Sequence, residues 1–570
     1  MVSDRRDGLD GLVSGIDPDW WRGAVIYQIY PWSFADSNGD GIGDLRGITA
    51  KLDHVAGLGV DAIWIAPFFT SPMQDFGYDV SDYCAVDPRF GTLADFDALI
   101  ARAHALGLKL LIDQVWSHSS DQHPWFRSSR ASRDNAHADW YVWADPRPDG
   151  SPPNNWLSVF GGAAWSWEPR RRQYYLHHFL SCQPQLNLRH EQVRAALFDC
   201  GRFWLERGVD GFRLDAVDFY LHDPSLADNP AAAPAGGILP VKPFRLQHHL
   251  HDMMHGETSA LLDEIRRFID GWPGRTTLGE VSSEVGALGR CAGYTADRKL
   301  HMAYTMRLLR QELSAGAFHA ALDEACQADP GGWICWAFSN HDVERAVTRW
   351  SAGRDWASDA MLHDRFARML VALLLSLKGS VCLYQGEELG LPEAVLPETS
   401  LRDPYGIAFF PEFRGRDGCR TPLPWRAGVP HAGFTDAAQP WLPMPAEHHA
   451  LAVDRQESDP TALLHVWRRM LAWRRARPEL VHGDLVLCHA AEPVLAFERV
   501  LGLRRLLCAF NLSARPAALA IAAPGVLFDG NALGIAVAAG RLELPPFGAA
   551  FVSFEAALDQ IGARAMAAAE

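Results

Sequence analysis

The sequence has no Cys-x-x-Cys pair, no internal repeat beyond a strand–helix rhythm, no apolar run long enough to cross a bilayer and no excess of positive charge. Each absence excludes something. The ten cysteines are scattered singly, which fits reduced thiols rather than a disulfide framework or a zinc site. A formal net charge of −16 argues against nucleic acid or an anionic membrane as partner. The stretch from Met1 to Asp10 is polar and lacks the apolar core of a secretory signal. With no spanning segment either, the chain is expected in the cytoplasm, with its oligomeric state left open.

What the chain has in plenty is length and aromatic rings. At 570 residues it exceeds one ordinary core, so a large domain with one or two smaller ones is expected. Its 21 Trp and 28 Phe suit sugar binding, where rings stack on apolar pyranose faces, although large cores use them too. Apolar strand-like runs recur at Ala24–Tyr30, Asp61–Pro67, Lys109–Val115, Gly211–Val217, Thr276–Glu280, His301–Met306, Trp333–Phe338 and Ser380–Tyr384. Helical patterns lie between them, among others at Ile48–Leu58, Leu93–Leu106, Glu191–Arg207 and Arg365–Leu377. Eight strands with intervening helices predict an α/β fold of the TIM (β/α)8 barrel class.

The rhythm breaks over residues 119–187, which predicts a subdomain inserted after strand 3. After a helix around Ala462–Arg475, short apolar runs separated by Gly, Pro and Asn predict a C-terminal antiparallel β-domain. The barrel is thus expected over 1–118 and 188–480, the insertion over 119–187 and the β-domain over 481–570. Residues 1–19 look like a loose lead-in and 557–570 an Ala-rich tail. Long loops follow strand four (221–255) and strand eight (386–430), on the face where such barrels build their sites.

The chemistry centres on Gly211-Phe212-Arg213-Leu214-Asp215-Ala216-Val217. Side chains alternate along a strand, so Arg213 and Asp215 share a face. Arg213 is expected to hold the Asp215 carboxylate ionised. Alone, the pair is as readily a structural ion pair. Other polar groups stop at other strand ends: His118 after strand three, Glu280 after five, His341 and Asp342 after seven. Each has a dull explanation by itself. Three carboxyls and two imidazoles at the C-terminal face of one barrel point instead to a catalytic site. Two carboxyls flanking a scissile bond is the requirement of a glycosidase. Asp215 fits the nucleophile. Glu280, followed by apolar Val281 and with no adjacent Arg, fits an acid/base of raised pKa. Asp342 is left to bind hydroxyls and stabilise the transition state. Upstream, Asp36, Asn38, Asp40 and Asp44 set oxygen donors around glycines. That loop suits one structural Ca2+, against the alternative of an Asx/Gly turn without metal.

At these residues the sequence resembles the α-amylase superfamily, glycoside hydrolase family 13, and within it bacterial α-glucosidases of the oligo-1,6-glucosidase type. The motifs are Asp113-Gln-Val-Trp-Ser-His118, Gly211 to Val217, Leu278-Gly-Glu-Val281, Phe338-Ser-Asn-His-Asp342 and Gln183-Pro-Gln-Leu-Asn187. The resemblance implies Asp215 as nucleophile, Glu280 as acid/base and Asp342 as transition-state stabiliser. It implies that His118, Arg213 and His341 contact the glucose at the cleaved bond, and that Asp75 and Arg420 form the pair gripping its non-reducing end. Tyr78 would stack on that glucose and Phe160 would form an aromatic wall. Asp36, Asn38, Asp40, Asp44 and the Ile42 carbonyl would hold the calcium. Ser117 stands where amylases carry the Asn of a second calcium site, and Gln185 replaces a usual Asp.

The expected activity is that of a retaining, exo-acting α-glucosidase on short α-glucosides. Ala216 beside the nucleophile is matched, within the resemblance, to α-1,4 preference. Transfer of the glucosyl group to a sugar or alcohol uses the same residues and stays open, as does conversion of sucrose or trehalose. A non-catalytic barrel is the least fitting alternative, because all three carboxyls are kept.

Overall fold

A computed structural model describes residues 17–234, 239–283, 285–309, 312–521, 526–528, 535–538 and 540–555. Eight parallel strands close into a barrel: β1 Val25–Ile29, β2 Ala62–Ile65, β3 Lys109–Gln114, β4 Gly211–Leu214, β5 Thr276–Val281, β6 Met302–Thr305, β7 Ile334–Ala337 and β8 Ser380–Tyr384. Each pairs with the next in the chain, and β8 closes on β1 through Val25↔Val381. The strands are largely apolar and, apart from Lys109 at the start of β3, buried from end to end, as a parallel sheet wrapped by helices requires.

Helices return the chain between strands. The first, α1, spans Leu45–Leu58, three residues earlier than its periodicity predicts, because Asp44 accepts a hydrogen bond from the Gly47 N–H and caps the extra turn. It stops at Gly59, whose φ of 90° turns the chain left-handed. The helix α2, Leu93–Ala105, is opened by a reciprocal capping box between Thr92 and Asp95. The helix α3 covers Glu191–Glu206. The helix expected at Arg365–Leu377 is α4, Ala360–Leu374. Its start is set by Asp359, which accepts from the Met361 and Leu362 N–H groups.

Between β3 and α3 lie a short helix, Pro124–Ser129, and a three-stranded antiparallel sheet of Trp143–Ala144, Gln173–Leu176 and Trp165–Glu168. This sheet has its own small core around Trp156, Trp165 and Leu176. At the C-terminal end, Asp484–His489, Val494–Leu501, Arg504–Asn511, Ala549–Glu555 and Val526–Phe528 form an antiparallel five-stranded sheet. A three-stranded sheet of Ala517–Ala520, Arg541–Leu544 and Ala536–Ala538 stands beside it in the chain. Most of the lead-in and the whole Ala-rich tail lie outside the described residues. Among the described residues no helix is long and apolar enough to cross a membrane.

Candidate active site

The strand β4 delivers Arg213 into the barrel and Asp215 just past its end. Gly211 begins it because a Cβ there would stand 2.4 Å from the Thr276 carbonyl oxygen of β5. After Asp215 the backbone reverses hand. Ala216 sits at φ 43°, ψ 51°, a left-handed conformation costly for a residue with a Cβ, and one 3-10 turn, Val217–Phe219, follows.

Arg213 is wholly buried and organises three carboxyl groups. Its Nη1 donates to Asp215 Oδ1 at 2.7 Å and to Asp113 Oδ1 at 2.8 Å, and its Nη2 donates to Glu280 Oε2 at 2.5 Å. Nη2 also donates to the Tyr304 hydroxyl at 2.7 Å. Glu280 was expected to have no arginine beside it. The register of β4 against β5, Arg213↔Leu278, supplies one across the strands. The Ala216 N–H adds a further bond to Glu280 Oε2 at 3.1 Å.

Burial nevertheless dominates both carboxyls. It pushes Asp215 up to about 7, with Arg213 pulling it down and Asp113 and Asp342 pushing it up. It pushes Glu280 up to about 8, again offset in part by Arg213. The expectation that Arg213 would keep Asp215 ionised is corrected accordingly: one guanidinium shared three ways does not outweigh the cost of burying the charge. Asp113 is raised by burial to about 6.

Asp342 stands in a richer cationic setting. Arg416 Nη1 approaches Asp342 Oδ1 at 3.2 Å, Arg420 Nη2 at 3.0 Å, and His341 Nε2 lies 3.3 Å from Oδ2. Burial raises Asp342, yet His341, Arg416 and Arg420 together hold it well below the usual carboxylate range. Asp75 and Arg420 both belong to this cluster, each with its own partners. Asp75 Oδ1 takes Arg416 Nη2 at 2.7 Å, and Arg420 bonds Asp342 and, through Nε, the His341 carbonyl oxygen at 2.7 Å. Arg416 also holds Asp403 at 2.8 Å, so it lies between all three carboxylates.

The remaining predicted groups converge on the same place. The Tyr78 ring stacks on His341, centroids 5.4 Å apart and planes 1° apart, and its hydroxyl lies 2.7 Å from His341 Nε2. His118 lies 2.8 Å from Ser117 Oγ through Nδ1 and 3.1 Å from the Tyr78 carbonyl oxygen through Nε2. Burial lowers both His118 and His341 to about 3, so both rings are neutral hydrogen-bonding groups at ordinary pH. Phe160, from the inserted segment, lies beneath the Arg416 guanidinium, 5.3 Å from ring centroid to Cζ. Ala216 is buried against Phe219 and Met253. Sequence reasoning missed Asp113, Arg416, Asp403 and Gln183, whose Nε2 donates to Asp75 Oδ2 at 3.0 Å. Asp113 and Gln183 stood inside quoted motifs, and only the side-chain contacts reveal their work.

The loop from Asp36 to Asp44 is a chain of Asx turns. Asp36 accepts from the Asn38, Gly39 and Gly41 N–H groups, Asn38 Oδ1 from Asp40 N, and Asp40 Oδ1 from Ile42 N. The donors are all oxygens, as a hard cation requires. Two of the carboxylates are also committed elsewhere, Asp36 Oδ2 to the Thr435 hydroxyl and Asp44 to the α1 cap and to Ser37. Among the described residues no three His, Cys, Asp or Glu side chains converge as a metal site.

Residues 28–483 match the family described as the α-amylase catalytic domain. A probable α-glucosidase of Rhizobium meliloti (strain 1021) is 54% identical over 503 residues, covering 87% of this chain and 90% of its own. An oligo-1,6-glucosidase of Heyndrickxia coagulans is 36% identical over 530 residues, covering 87% and 92%. The crystal structure of an α-glucosyl transfer enzyme, 54% identical, superposes with a TM-score of 0.90 over 94% of this chain and 99% of that one.

Proposed function

The chain belongs to the α-amylase family of glycoside hydrolases, and from that premise we propose that it is a retaining, exo-acting α-glucosidase preferring short α-1,4-linked substrates such as maltose. The observation that carries this is Arg213, whose fork holds Asp215 by one terminal nitrogen and Glu280 by the other. Carboxyls pinned to one planar group suit the ~5–5.5 Å separation of a retaining pair rather than the ~6.5–9.5 Å that leaves room for an attacking water.

Asp215 attacks the anomeric carbon of the terminal glucose while Glu280 gives its proton to the leaving glycosidic oxygen. The ester so formed is cleaved by water, from which Glu280 takes the proton back. Glu280 can donate because it binds its proton more tightly than Asp215 does. Asp342, kept anionic by its arginines, faces the positive charge that develops at the anomeric centre. Asp75, Tyr78 and Arg420, with Arg416 bonded to Asp75, close the pocket beyond one glucose in this reading, which favours action from chain ends. Ala216, small and next to the nucleophile, leaves room for an α-1,4-linked neighbour.

The loop from Asp36 to Asp44 binds one structural Ca2+ in this reading, through Asp36, Asn38, Asp40, Asp44 and the Ile42 carbonyl. Asp44 would have to give up Ser37 to join.

A second reading is favoured by the likeness to the α-glucosyl transfer enzyme: a sugar or alcohol intercepts the glucosyl-enzyme before water does. Incubation with maltose, isomaltose, sucrose, trehalose and soluble starch, with products followed by NMR, tests both. Retained anomeric configuration and early free glucose support hydrolysis; products longer than the substrate support transfer. Inverted product, or mid-length fragments released early from starch, would refute the retaining exo reading.

A further inference from the structure

The two long loops that overhang the pocket meet at Lys242. Half-buried in the loop after β4, it places Nζ 3.6 Å from the ring centroid of Phe413 and 4.2 Å from that of Tyr405, both in the loop after β8. The two rings stand edge to face, 4.9 Å apart at 68°. An ammonium set against two aromatic rings is a cation–π seat.

Both ends of this contact are anchored in the site. On the β8 side, Asp403 caps the short helix Pro404–Phe409 through the Tyr405 N–H and is itself ion-paired to Arg416. Tyr405 also packs on Phe160, centroids 4.7 Å apart. On the β4 side, Phe244 lies two residues beyond Lys242, in the turn Pro243–Leu246. It packs with Phe179 and Met254 on the cluster of Ala216, Phe219 and Met253. Ala216 in turn donates its N–H to Glu280, the group assigned to the leaving oxygen. The cluster therefore flanks the side of the pocket where the departing sugar sits.

We propose that Lys242 is a positioning residue: seated on Tyr405 and Phe413, it ties the loop after β4 to the loop after β8 and so shapes the leaving-group side of the pocket. The proposal rests on the α-glucosidase reading, and the test separates the two.

The test compares kcat/KM on maltose and on α-glucosyl fluoride for the wild-type protein, Lys242→Met, Phe413→Leu and the double variant. Fluoride departs without filling the sugar position beyond the cleaved bond, so it reports the glucose pocket and Asp215 alone. Lys242→Met keeps the stem and removes the charge; Phe413→Leu keeps an apolar side chain and removes the ring. Each is expected to lower kcat/KM on maltose about fivefold, inside the range of about two- to thirtyfold that a cation–π contact can supply. Turnover of α-glucosyl fluoride stays within about twofold, and the loss in the double variant falls short of the product of the single losses, because both changes remove the Lys242–Phe413 contact. Equal losses on both substrates, no loss on maltose, or losses that multiply in the double variant would overturn the proposal. A wild-type protein inert on both substrates would overturn the α-glucosidase reading itself, and the latch with it.

Discussion

The pH dependence of the reaction tests the electrostatics of the site most directly. Productive attack needs Asp215 without its proton and Glu280 with it. Burial places these ionisations at about 7 and about 8. On an aryl α-glucoside, kcat/KM should rise with pH through about 7 as Asp215 ionises and fall through about 8 as Glu280 does. With limbs so close, roughly 60% of the enzyme is in the reactive form at its optimum near pH 7.5, and about twentyfold less two units away on either side. Glu280→Gln separates the limbs. Asp215 ionises first, while Glu280 is still neutral, and a neutral amide imitates that state. With azide as nucleophile and a good leaving group, the variant should therefore keep the acid limb near 7 and lose the alkaline one. An acid limb well below pH 5 would refute the reasoning, because it would mean that Arg213 outweighs the burial of Asp215. An alkaline limb surviving in Glu280→Gln would refute the assignment of the acid.

Four further outcomes follow from the same contacts. Asp215→Asn should abolish turnover and raise Tm at pH 8 but not at pH 4: the folded protein holds a proton that the unfolded chain releases, so an ionised Asp215 subtracts stability as pH climbs from the ordinary carboxylate range to about 7. Arg416→Met should raise KM and destabilise the fold by about 3–5 kcal/mol in denaturant unfolding, since it strands the buried carboxylates of Asp75 and Asp403. Chelation should lower Tm if the Asp36–Asp44 loop binds Ca2+, and Asp40→Ala should abolish that response; an unchanged Tm with bound metal retained would remove the site. Ala216→Val should lower the maltose-to-isomaltose ratio of kcat/KM about tenfold, the worth of a small apolar contact, whereas equal losses on both sugars would reduce Ala216 to packing at a left-handed position.

Much of this was legible in the residues because it is local. Seven of the eight barrel strands lie within the runs named above and β5 ends one residue beyond its run, at Val281; runs so largely apolar announce a parallel sheet. The pairing of Arg213 with Asp215 follows from a spacing of two along one strand. What could not be read was set by register and by side-chain reach. Glu280 meets Arg213 only because Leu278 lies opposite Arg213 in the neighbouring strand, a relation no single strand records. Arg416 and Arg420 stand in one short loop with the same chemistry, and only their directions assign Asp75 to the first. The helix expected from Arg365 begins five residues earlier in the fold, where Asp359 caps it, a signal that apolar periodicity does not carry.

In the proposed mechanism, the division of arginines lets so acidic a pocket perform two opposite tasks. Asp113, Asp215 and Glu280 share Arg213 alone, and all three are raised by burial. Asp342 and Asp403 draw on Arg416, with Arg420 beside Asp342, and both are lowered. Asp75 is the exception, raised by its burial despite Arg416. A proton needed for donation must be kept in the half poor in cations, since extra positive charge would release it. A carboxylate that steadies a developing cation must stay charged throughout, so it belongs in the half that is rich in them. A second arginine beside Glu280 would remove the acid, and the loss of Arg416 would weaken the stabiliser. His118 and His341, neutral at ordinary pH, add hydrogen-bonding groups for hydroxyls.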